Sequence, residues 1–82
     1  MNKKTKEIFE RNLDRIKDVA NKKNIVSYIN YFESELQQAE YEVKKINDFT
    51  APEEIEHRKN YVEYCKAMLT ELHILKEGLC ND

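Results

Sequence analysis

The chain has 82 residues, a net charge of −2 and 37% charged residues, with one Gly, one Pro and no Trp. So little turn-forming material excludes barrels, sandwiches and Gly-rich phosphate loops, and in a charged sequence it leaves long helices. Five Tyr, three Phe and a regular supply of Ile, Val and Leu argue against a disordered chain. A single all-α domain over residues 1–82 is therefore expected.

The first segment predicts a helix over about 4–21. Phe9, Leu13, Ile16 and Ala20 fall at spacings of 4, 3 and 4, with Ile8 and Val19 widening the stripe. Continuing that phase would bring Lys23, Ser27 and Asn30 into the seam, so the helix is expected to stop in the polar run Asn21-Lys22-Lys23-Asn24. Asn21 or Asn24 is suited to a left-handed C-terminal position, and Asn24 to capping the next helix. The competing arrangement is a long two-helix hairpin in which the chain stays helical through 21–24.

Ile25, Ile29, Phe32, Leu36, Ala39, Val43 and Ile46 then mark a second helix over about 25–48 with a repeat of 3.5 residues. Thr50-Ala51-Pro52-Glu53 has the form of a capping box with Pro in the first turn, which starts a third helix over about 52–77. Its seam is Ile55, Val62, Cys65, Leu69, Leu72 and Leu79, interrupted by Arg58 and Lys76, beside a parallel row of Tyr61, Met68 and Leu75. Gly78 reads as its stop. Two long helices joined by a short turn lie antiparallel, pairing Leu36 with Cys65, Phe32 with Leu69, Ile29 with Leu72 and Ile46 with Ile55. With the first helix in their groove, the expected fold is an antiparallel three-helix bundle centred on Phe32, Leu36, Cys65 and Leu69.

Little in the chain suggests catalysis. Glu54 and His57 have the spacing of a di-iron motif, but Ile55 owns the core position between them, and Glu54 and Glu56 suit a helix N-terminus. Cys65 lies on the apolar stripe with neither His57 nor His73 one turn away. No catalytic residue, metal site or cofactor site is therefore expected, and the chain reads as a non-enzyme. Cys65 and Cys80 form neither a CxxC pair nor a disulfide framework, and no run of apolar residues suits a leader or a membrane span. A cytoplasmic protein without a membrane partner is expected. Lys outnumbers Arg 11 to 3 and Asn occurs eight times, a codon bias of AT-rich bacteria and their phages.

Charge is uneven along the chain. Residues 1–24 carry a net +4 and residues 25–57 a net −6. The first helix, with Lys3, Lys4, Lys6, Arg11, Arg15 and Lys17, offers cations to phosphate, but Glu7, Glu10, Asp14 and Asp18 are interleaved at helical neighbour spacing. That pattern reads as a self-paired, solvated face and disfavours nucleic acid. Glu33, Glu40, Glu42 and Asp48 could present an acidic face to a basic partner, making the domain a decoy or inhibitor of a nucleic-acid enzyme such as a defence nuclease. The preferred reading places the acidic second helix beside the basic first one, with the charges paired inside the molecule.

The tyrosines lie beside the seams, where a ring can cover a core edge or offer a contact. Tyr61, Tyr64, Met68 and Leu75 form a candidate interface on the third helix, unless the first helix covers them. The expected function is a protein–protein interaction module, an adaptor or inhibitor, homodimerising through the third helix. Nucleic-acid binding by the basic first helix is the remaining alternative.

Overall fold

The structure, a computed structural model, describes residues 1–81 as three helices: α1 (Lys3–Val19), α2 (Ile25–Lys44) and α3 (Pro52–Cys80). Asp82, the last residue of the expected domain, lies outside the described residues. The fold is the expected all-α bundle, with α2 and α3 as an antiparallel hairpin and α1 running alongside α3.

Asn2 starts α1, its Oδ1 accepting from the Thr5 amide at 2.8 Å. The helix ends two residues before the expected limit, where Ala20 turns extended. Neither asparagine of the linker is left-handed, since no described residue has positive φ. They bond to each other's backbone instead. The Asn21 Oδ1 accepts from the amides of Lys23 and Asn24 at 2.8 and 3.0 Å, and the Asn24 Oδ1 accepts from the Asn21 amide at 2.7 Å. The Asn24 Nδ2 donates to the Val19 carbonyl at 2.9 Å, so Asn24 closes α1 rather than capping α2 with its side chain.

The second turn also departs from expectation. α2 stops at Lys44, four residues before residue 48, because Asn47 and Thr50 divert the backbone. The Phe49 amide donates to the Asn47 Oδ1 at 2.8 Å and the Asn47 amide to the Thr50 Oγ1 at 3.0 Å. Thr50 is thereby committed to Asn47, and the capping box does not form; Ala51 occupies the cap position with no side-chain bond, ahead of Pro52. Arg58, which interrupts the α3 seam, has a structural role here. Its Nη1 donates to the Glu42 carbonyl at 3.1 Å, satisfying an end carbonyl of α2, while its Nε bonds Glu54 at 3.1 Å. That contact also places the hairpin close to its predicted register. Gly78 does not stop α3, which continues through it to Cys80.

Ile25, Cys65, Met68 and Leu72 are fully buried, joined by Leu13, Ile16, Ile29, Phe32, Tyr64 and Leu69. Leu36, expected at the centre, is only half-buried at the edge of this cluster. The reason is where α1 lies. Its start sits beside Asn60, whose Oδ1 accepts from the Asn2 amide at 2.8 Å, so the hairpin beyond that point has no third helix over it.

Candidate functional site

Both outer helices rest on α3, but the backbone of α1 nowhere comes alongside that of α2. The molecule is accordingly long and flat, 51 × 23 × 14 Å. Between α1 and α2, with α3 as floor, lies a cleft of about 740 Å³. Ile8, Asn12 and Arg15 form part of one wall, Ser27, Tyr28 and Tyr31 part of the other, and His57, Tyr61 and Tyr64 part of the floor. It is open to solvent: Ile8 and Tyr31 are 43% and 57% exposed despite their apolar area.

The floor is an aromatic cluster built around Tyr64. Its ring stacks on Tyr61 with centroids 5.7 Å apart and meets Phe9 and Phe32 edge-on at 6.3 and 6.1 Å. The Asn12 Nδ2 donates to the Tyr64 hydroxyl at 2.9 Å, tying α1 to the floor. Beside this cluster, the hydroxyls of Tyr31 and Tyr61 donate to one oxygen of Glu35, at 3.2 and 2.9 Å. Burial and the Glu35 carboxylate push the Tyr61 hydroxyl well above the ordinary tyrosine range, and the charge of Glu35 raises Tyr31 as well. Burial pushes the Cys65 thiol up to about 11, and the charge of Glu35 acts in the same direction. A thiol so placed is not a nucleophile near neutral pH.

Of the four residues expected at an interface, Tyr64 and Met68 are buried within the chain, in the same cluster as Leu13 and Ile16 of α1. Met68 is thus covered by α1, and Tyr64 reaches solvent only as part of the cleft floor. Tyr61 and Leu75 remain partly exposed at the edge of that cluster. Of the four expected acidic residues, Glu33, Glu40 and Asp48 are exposed, with Glu33 and Glu40 two turns apart on α2, whereas Glu42 is half-buried, accepts from the Gln38 Nε2 at 3.0 Å and faces Lys45 at 3.9 Å. The expected pairing of α1 with α2 is not present either. Among the described residues no ion pair joins the two helices, and none forms within α1.

Glu54 is held by Arg58, and no group of three His, Cys, Asp or Glu side chains with metal-binding geometry occurs among the described residues. No described helix is long and apolar enough to cross a membrane. Tyr28 and Tyr31 on the wall and Glu35 beneath them are the residues that sequence reasoning left out of the site. The available signal was the placement of Tyr31 one turn before Glu35; the expected register set Tyr61 opposite Glu40 and so did not bring it to Glu35. The chain matches no protein-family model, no curated protein and no solved structure.

Proposed function

We propose that the chain is a non-enzymatic protein–protein interaction module, an adaptor or inhibitor acting in the cytoplasm, and that its partner docks in the cleft between α1 and α2. One observation carries the reading: Ile8 and Tyr31 stand exposed on facing walls above a tyrosine floor, and no segment of the described chain fills the space between them. Tyrosine supplies contact area at low entropic cost and is enriched at interfaces, and an open apolar cleft gains from being covered. The free thiols Cys65 and Cys80 suit a reducing compartment.

Affinity capture from the source cell, run side by side with wild-type protein and an Ile8→Asp variant, tests the proposal. A protein retained by the wild type and lost by a variant of unchanged helicity supports it. Retention that Ile8→Asp leaves intact, or retention of nucleic acid alone, overturns it.

A further inference from the structure

We infer that the occupant of this cleft is an amphipathic α-helix of a partner protein carrying an acidic flank, and that this flank lies along α1. The inference rests on the docking site proposed above and adds the chemistry of what fills it.

The shape comes first. Thr5 to Ile16 makes up the α1 wall, three helical turns or about 16 Å, facing an antiparallel helix across a helical floor. Such a trough is the seat of a further helix, whose i, i+4 and i+7 side chains would pack between Ile8, Tyr31 and Tyr61.

Charge then selects among helices. Arg15 lines the cleft, and the exposed Lys4 and Arg11, at i−4 and i+3 from Ile8, continue it by helical spacing as a cationic row beside that wall. None is in an ion pair among the described residues. Glu10 is turned away from the row, whereas Glu7, Asp14 and Asp18 stand one turn from its members, behind it, without pairing to it. The α2 rim is different: Ser27, Asn30, Ser34 and Gln38, at i, i+3, i+7 and i+11, carry no charge. A helix in the trough thus meets cations on the α1 flank, while on the α2 flank the exposed groups are neutral and the one carboxylate, Glu35, is engaged by Tyr31 and Tyr61. Glu or Asp facing α1 complements this arrangement, while Lys or Arg there is repelled. A nucleic acid fits less well, because the Glu35 carboxylate lies beneath Tyr31 and Tyr61, and Glu53 and Glu56 occupy the end of α3 that α1 leaves open.

Fluorescence anisotropy with two labelled 18-residue helical peptides tests the inference. Both carry Leu on one stripe and Ser and Gln on one flank; the other flank is Glu in one peptide and Lys in its counterpart. Three surface ion pairs worth a few-fold each predict about tenfold tighter binding of the Glu peptide, and Arg11→Glu with Arg15→Glu should reverse the order. These exposed substitutions leave the core untouched. Equal binding of both peptides overturns the inference while leaving an apolar docking cleft in place. Binding of neither overturns it too, and the capture experiment with Ile8→Asp then shows separately whether the cleft docks a protein at all. Tighter binding of an oligothymidine than of either peptide overturns both readings, as does a doubled mass in light scattering that blocks the peptides, which would place a second copy in the trough.

Discussion

Tyr61 of α3 donates its hydroxyl proton to Glu35 of α2 at 2.9 Å, bridging the hairpin beneath the cleft. The folded state holds that proton more tightly than the unfolded chain does, because burial and the carboxylate both disfavour a phenolate. The resulting stabilisation is complete below the ordinary tyrosine value of 10.0 and is lost as pH rises through the higher folded-state value. Urea unfolding should therefore show stability falling as pH climbs above 10.0. Tyr61→Phe should cost about 1 kcal/mol at neutral pH, discounted for partial exposure, and flatten the alkaline decline. An unchanged alkaline profile in Tyr61→Phe would refute the assignment.

Truncations should rank by burial rather than by place in the heptad. Leu72 is fully buried under the other helices, so Leu72→Ala is expected to cost about 2–5 kcal/mol, much of the total stability of a domain this size. Leu36 is half-buried where α1 does not reach, and Leu36→Ala should cost only about 1–2 kcal/mol. Equal losses in denaturant titrations would mean that the two leucines share one environment.

Gly78 is helical, exposed, and has nothing within 4 Å of the position its Cβ would take. Alanine there loses less entropy on folding at no steric cost, so Gly78→Ala should stabilise by about 0.5–1 kcal/mol. For a domain of this length the midpoint should rise by roughly 2–8 °C. A fall in melting temperature would show that the last turn of α3 does not persist in solution.

The two thiols should separate cleanly in a labelling experiment. Cys80 is exposed, whereas Cys65 is buried with its thiol pushed up to about 11. A disulfide reagent at neutral pH should titrate one thiol quickly and the second only on unfolding. Two equally fast reactions would contradict the buried placement of Cys65.

The fold was legible in the sequence because its signals are periodic. Ile25, Ile29 and Phe32 mark the core face of α2, and Cys65, Leu69 and Leu72 that of α3, by spacing alone. Helix ends were read less well. Thr50 and Asn24 have the right chemistry for caps, but each bonds a neighbouring asparagine, a choice among local partners that sequence pattern does not decide. The cleft was out of reach for a different reason. A stripe such as Ile8, Phe9, Leu13 and Ile16 reveals that a face is apolar, not whether one neighbour or two will cover it. Here α1 meets α3 alone, so Phe9 is packed while Ile8 stays open. Glu35 became visible only once the hairpin placed it against Tyr61.

The position of α1 also bears on the order of assembly. Apart from the Asn24 bond to the Val19 carbonyl, its side-chain anchors are remote in sequence: Asn2 meets Asn60 across 58 residues and Asn12 meets Tyr64 across 52, while the backbone of α2, its neighbour in the chain, does not come alongside it. Closing a loop of that length before the hairpin exists would cost entropy with little to offset it. The α2–α3 hairpin, with its short local turn, is therefore expected to form first, and φ-values near zero for substitutions in α1 would bear this out. Until α1 arrives, Tyr64 and Met68 have no cover on one side. The same seating of α1 completes the core through Leu13 and Ile16 and supplies one wall of the cleft, so the interior and the cleft depend on one set of contacts.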